Sequence, residues 1–150
     1  MHYVMPLLIF YLLAAAGLAQ AESPVMDCAP DGIAVGGFDL VSYHQGATPR
    51  PGKAEFAIVS DDLTYLFSSS ENQAIFRNDM GKYLPVYNGW CATTLAMGRL
   101  ACPDYTNFKI EDGRLLLFEL AGFTNGRSLW NSDPVGFRVR ADTNFEALVQ

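Results

Sequence analysis

Phe108-Lys-Ile110 and Leu115-Leu-Leu-Phe118 are two short apolar runs separated by Glu111-Asp-Gly-Arg114. Asp112-Gly113 is the pair a type I′ turn favours, because both central residues need positive φ. That segment predicts a tight antiparallel hairpin. Glu55-Phe-Ala-Ile-Val59 and Leu63-Thr-Tyr-Leu-Phe67, around Ser60-Asp-Asp62, predict a second. Helices fill the intervals. Asp39 can cap a short turn through Leu40 to His44. Ser68 with Glu71 fits a capping box, and Ala74, Ile75 and Phe76 give the helix that follows an apolar side. Asn78 to Gly81 ends it. Asn88-Gly89 predicts a tight turn, and Trp90 to Met97 a second short helix closed by Gly98. Ser128 to Ala147 reads as helix in pieces, broken at Asp133-Pro134, with Leu129, Trp130, Phe137, Val139 and Phe145 as packing residues. No internal repeat or low-complexity tract shows. The expected fold class is α+β: a small antiparallel sheet built from hairpins, packed with several short helices.

The N-terminus has a different character. Val4 to Leu18 is an apolar run interrupted only by Pro6, and Ala19-Gln20-Ala21 supplies a small-x-small cleavage pattern. The run is shorter than the roughly 20 residues a membrane-spanning helix needs. Residues 1–21 are therefore expected to be a signal peptide, 22–31 an N-terminal lead-in, and 32–150 one domain. The mature chain is expected to be exported, periplasmic or secreted, with no stable membrane span. The net charge is −6 and no basic cluster offsets it, which argues against nucleic acid as a partner.

Three cysteines, Cys28, Cys91 and Cys102, allow at most one intrachain bridge. Cys28 with Cys102 is the favoured pair, because it would tether the N-terminal tail. Cys91 with Cys102 is its competitor, and the sequence leaves both open. Cys91 follows a turn, starts a helix and lies near Tyr87 and Trp90. Helix N-termini favour thiolate, so Cys91 is the candidate soft metal ligand or redox thiol. Its plain alternative is a buried structural cysteine. His44, the only histidine after cleavage, and Met97 are candidate additional donors for copper(I), with Met26 and Met80 behind them. Tyr43, Tyr87, Trp90 and Trp130 are the candidate lining of an apolar pocket, weighed against a core-filling role. The carboxylate pairs Asp61-Asp62 and Glu111-Asp112 lie in turns, and no Gly-x-Ser-x-Gly element points to a hydrolase.

Several of these motifs occur in an order that resembles the exported bacterial YHS domain-containing proteins. They are Gly36-Gly-Phe-Asp39 with Val41-Ser-Tyr43, Tyr65-x-Phe67-Ser-Ser69-x-Glu-Asn72 with Phe76, Lys82-Tyr83, and Tyr87-x-Gly89-x-Cys91-Ala92. The likeness covers about residues 32 to 146. Metal-binding relatives usually carry Phe-Cys-Ser-x-x-Cys, and those two cysteine positions fall at Ser68 and Asn72 here. What the resemblance implies is a binding domain rather than an enzyme. It would hold a transition metal such as copper in the cell envelope through a single site centred on Cys91. One alternative is a metal-free small-molecule or protein-interaction module with an aromatic pocket. A second is a thiol redox protein using Cys91 and Cys102.

Overall fold

The structure, a computed structural model, describes residues 28–150. The expected signal peptide, most of the lead-in and Met26 lie outside the described residues. Among the described residues the fold is α+β, with five α-helices and three small two-stranded antiparallel sheets. In chain order these are β1 (Lys53–Ser60), β2 (Leu63–Phe67), α1 (Ser70–Asn78), α2 (Met80–Tyr83), α3 (Ala92–Ala96), β3 (Asp104–Glu111), β4 (Arg114–Phe118), β5 (Leu120–Ala121), β6 (Thr124–Asn125), α4 (Gly126–Ser132) and α5 (Pro134–Leu148).

Turn chemistry sets both large hairpins. Asp112 and Gly113 have φ of 53° and 75°, and Asp61 and Asp62 have φ of 50° and 61°. Asp tolerates the left-handed region and Gly enters it freely, so each two-residue turn matches the right-handed twist of its strands. Each first strand carries a bulge, between Lys53 and Ala57 in β1 and between Asp104 and Phe108 in β3. The small β5–β6 hairpin was not expected. Its strands are two residues long, too short for an alternating pattern to show.

Two short left-handed turns precede the hairpins. Val35, Gly36 and Gly37 have φ of 46°, 60° and 79°; Tyr87, Asn88 and Gly89 have 58°, 52° and 84°. A β-branched residue there is a genuine outlier. Val35 is held by packing, being 1% exposed. Gly36 is also required by space, since a Cβ would meet the Tyr105 ring at 2.7 Å.

Helix starts follow caps, with one correction. Ser68 does not cap α1. Ser69 does, its hydroxyl accepting the Asn72 N–H at 3.2 Å. Three successive serines made the choice ambiguous, and the folded geometry uses the second. Asp79 caps α2, and Asp133 caps α5 just ahead of Pro134.

The core has two parts. The first gathers Val35, Leu40, Tyr43, Phe67, Phe76, Tyr83, Phe108 and Leu115, among others. The second gathers Tyr87, Leu95, Leu116, Phe118, Trp130, Phe137 and Ala141. Of the expected packing residues of the tail, Trp130 and Phe137 are buried and Phe145 packs against the second part. Val139 and Leu129 are exposed instead. On α5, Val139 lies two residues from Phe137 and four from Val135, which is the side of the helix away from the buried stripe. Cys28 and Cys102 form the disulfide, and Tyr105 donates its hydroxyl to the Cys28 carbonyl at 2.8 Å. The lead-in is thereby pinned at Cys28 to the start of β3.

Candidate functional site

The positions that the resemblance assigns to metal-binding cysteines are occupied by a hydrogen-bond network. Its centre is Asp39, which is fully buried. Oδ1 accepts the N–H groups of Val41 and Ser42 at 2.9 and 3.2 Å. Oδ2 accepts the Ser68 N–H at 2.9 Å, the Ser68 hydroxyl at 2.5 Å and the Asn72 amide at 2.6 Å. Five donors on one carboxylate offset the cost of burying it. The network reaches the surface through Gln45, which donates to Asn72 Oδ1 at 3.0 Å and accepts from Arg50. Ser68 thus spends its hydroxyl on Asp39, and Asn72 directs its amide N–H there while its oxygen serves Gln45. Sequence reading gave Asp39 only a capping role. It held no signal that Ser68 and Asn72, 29 and 33 residues later, would converge on the same carboxylate.

Cys91 is the free cysteine among the described residues, and it is fully buried. Its backbone N–H donates to Ala101 O at 3.0 Å, and its Sγ accepts the Glu119 N–H at 3.1 Å. Cys91 sits at the N-cap of α3, whose first turn carries no acidic residue.

The other candidate donors are held elsewhere. His44 packs edge-on against Tyr83, with ring centroids 5.1 Å apart, and its buried Nε2 has no hydrogen-bond partner among the described residues. Burial first, and then the nearby Lys82 ammonium, hold its pKa below the ordinary 6.5. Met97 is half exposed at the C-cap of α3. Among the described residues no three His, Cys, Asp or Glu side chains form a group that could hold a metal ion. The donor set present does not fit a closed transition-metal site, which takes four converging ligands.

The candidate aromatic lining divides between the two core parts. Tyr43 belongs to the first, meeting Phe108 edge-on at 4.8 Å and donating its hydroxyl to Tyr105 O at 2.8 Å. Tyr87 and Trp130 belong to the second. Tyr87 donates to Asp142 at 2.8 Å, and burial, then that carboxylate, push its pKa far up. Trp130 Nε1 donates to Glu111 at 3.4 Å. The crevice between Tyr87, Trp130, Glu111 and Arg138 leaves no room for a water molecule. Trp90 is buried and its Nε1 has no partner among the described residues. These rings fill the interior.

Glu111 joins the second hairpin to the C-terminal helices. It pairs with Lys109 and with Arg138 of α5, while Arg138 also holds Asp112 at 2.8 Å. Burial alone would raise the Glu111 pKa, but hydrogen bonds from Lys109, Arg138 and Trp130 outweigh it and hold the carboxyl below the ordinary range.

Open space lies elsewhere. A shallow groove of about 410 Å³ runs between the end of α3 and the middle of α5, lined by Ala96, Met97, Gly98, Val139, Arg140 and Asn144 among others. Asn144 ties its two walls together by donating to Leu95 O at 2.8 Å. Val139 is 61% exposed there, with Val135 one turn away at 74%. Sequence reading missed this face because it counted Val139 as core. The spacing of Phe137, Ala141 and Phe145 along one side of α5 could have placed Val139 outside.

Comparison with protein-family models, with curated proteins and with solved structures finds no match for this chain. Among the described residues no helix is long and apolar enough to cross a membrane.

Proposed function

We propose that this chain is an exported YHS-like domain that works as a metal-independent binding module, taking an apolar ligand or protein segment at the α3–α5 groove. The carrying observation is the use of Ser68 and Asn72: both are committed to the buried Asp39 carboxylate, where metal-binding relatives are expected to present thiolates. The groove supplies the alternative, since adjoining exposed apolar side chains commonly mark interaction surfaces. The Cys28–Cys102 disulfide fits an oxidising compartment. In this reading a groove of Met97 and Val139 takes the place of an aromatic pocket.

The fluorescent apolar anion anilinonaphthalene sulfonate serves as probe, titrated into the domain from Glu22 onward. Saturable binding that weakens at least about fivefold in Val139→Asp supports the groove. Binding that is absent, or unchanged by that substitution, removes it.

A second reading keeps copper, centred on Cys91 with His44 and Met97 as candidate partners. The observation in its favour is that the Cys91 sulfur is unpaired. Copper(I) titration of wild type and Cys91→Ser separates the two readings. Stoichiometric binding lost in the variant favours copper. The redox reading with Cys91 and Cys102 requires those two sulfurs to pair, whereas Cys102 is bonded to Cys28.

A further inference from the structure

We infer that residues 33–83 and 85–137 are two copies of one structural unit, and that Cys91 is the second copy's counterpart of Asp39: a buried acceptor that anchors the end of the hairpin to the turn before it. The inference rests on strand register and hydrogen bonds, independently of the binding reading above.

In the first hairpin Lys53 pairs with Phe67, Ala57 with Leu66, Ile58 with Tyr65, Val59 with Thr64 and Ser60 with Leu63. In the second, Asp104 pairs with Phe118, Phe108 with Leu117, Lys109 with Leu116, Ile110 with Leu115 and Glu111 with Arg114. Every pair recurs 51 positions on (53 to 104, 67 to 118), and so does the bulge. Chance similarity of two hairpins does not require the same bulge at the same place.

The flanking structure repeats as well. Ile33 bridges Thr64 in parallel and Pro85 bridges Leu115 in parallel. Each bridge leads into one of the left-handed turns, closed by Phe38 N–H to Val35 O at 3.2 Å and by Trp90 N–H to Tyr87 O at 3.1 Å. The next residue is Asp39 in one copy and Cys91 in the other. Asp39 N–H donates to Arg50 O at 2.8 Å, and Cys91 N–H to Ala101 O at 3.0 Å. The Ser42 hydroxyl donates to Asp39 O, and the Thr94 hydroxyl to Cys91 O. Beyond the hairpin, Ser68 N–H donates to Asp39 Oδ2 at 2.9 Å, and Glu119 N–H to Cys91 Sγ at 3.1 Å.

After the hairpins the copies stay in step. Phe67 meets Phe76 with centroids 4.9 Å apart, and Phe118 meets Trp130 at 5.8 Å. Asp79 and Asp133 then adopt nearly the same backbone, φ −152° with ψ 73° and φ −154° with ψ 67°. Each caps the next helix by accepting the N–H three residues on, from Lys82 and from Gly136.

The departures are local. The second copy gains five residues between Phe118 and α4, which make room for the β5–β6 hairpin, and its α4 has 7 residues where α1 has 9. Its last helix is 15 residues long, where α2 has 4. Identity between the copies is confined to scattered positions such as Gly37 with Gly89, Asp61 with Asp112, Phe67 with Phe118 and Asp79 with Asp133. The repeat was therefore invisible in the sequence and is plain in the register.

The two anchors differ in chemistry. Asp39 carries a charge and meets five donors. Cys91 is a weak acceptor that meets one, at a fully buried position. A thiol suits that place because it costs little to bury with a single hydrogen bond.

Amide hydrogen exchange on the mature chain, residues 22–150, tests the assignment. In Cys91→Ala the Glu119 amide is expected to exchange about tenfold faster, with Ser68 unchanged. In Asp39→Ala the Ser68 amide is expected to accelerate, with Glu119 unchanged. Cys91→Ser keeps an acceptor and should keep Glu119 protected. Should either alanine variant fail to fold, the wild type still decides: its Cys91 thiol should react with a maleimide no faster than the Glu119 amide exchanges. Unchanged Glu119 exchange in Cys91→Ala, or a thiol that reacts in the native state faster than that amide opens, would overturn the assignment.

Discussion

Asn72 donates its side-chain amide to Asp39 Oδ2 across 2.6 Å, joining the first turn of α1 to the segment ahead of β1. Both side chains are buried. Removing the carboxylate would take away the shortest acceptor of the Asn72 amide, leaving it Gln45 Oε1 at 3.4 Å and the Ser68 hydroxyl at 3.5 Å, and would strip the Ser68 hydroxyl of its acceptor. Asp39→Ala is expected to cost about 3 kcal/mol, and Asn72→Ala about 2 kcal/mol, in urea unfolding. Their double variant should cost clearly less than the sum, because each removes the same bond. Strict additivity would show that the pair is not coupled.

The disulfide makes a separate contribution. Cys28 and Cys102 are 74 residues apart in sequence, and closing a loop of that length restricts the unfolded chain. Reduction, or Cys28→Ser with Cys102→Ser, is expected to lower stability by about 4 kcal/mol. Denaturant midpoints with and without reductant measure it. Loss of the tether should leave the second core part folded, since Trp130, Phe137 and Phe118 make no use of it.

His44 gives the fold a pH dependence with a definite sign. Its folded pKa lies below the ordinary 6.5, first through burial and then through Lys82. The unfolded chain therefore binds more protons between those two values. The stabilisation is fully present above about 6.5, and is lost as pH falls through the lowered folded value. Melting temperature should drop between pH 7.5 and 5.5 in wild type, and the drop should shrink in His44→Gln. An equal slope in both proteins would contradict the assignment.

Phe123 and Trp130 show how differently two large aromatics can be placed. Phe123 stands fully exposed at the tip of the β5–β6 hairpin, whereas Trp130 is fully buried. Phe123→Ser should change stability by no more than about 0.5 kcal/mol. Trp130→Ala should cost about 4 kcal/mol, through the cavity it leaves and the hydrogen bond to Glu111 it removes. Thermal unfolding of the two variants separates these outcomes.

The sequence carried the local features well and the long-range ones poorly. Both hairpins were legible because Asp112-Gly113 and Asp61-Asp62 impose their turns locally. The break between α4 and α5 was legible because Pro134 cannot continue a helix and Asp133 can start one. What stayed hidden depends on contacts between distant residues. Ser68 looked like a cap, yet it serves Asp39. Val139 looked like core, because a valine's exposure depends on which side of α5 the rest of the chain covers. The aromatic set could be read as a pocket lining or as core filling, because a list of rings does not say that Tyr43 falls in one core part and Trp130 in another. The duplication escaped notice because geometry was kept while most side chains changed.

Metal titration followed by thermal melting tests the functional account most directly. Residues 22–150 would be melted with increasing copper(I), and separately with zinc(II), in wild type and in Cys91→Ser. The account predicts the same melting temperature with and without metal, and no saturable binding that depends on Cys91. A stoichiometric rise in wild type that disappears in Cys91→Ser would contradict it.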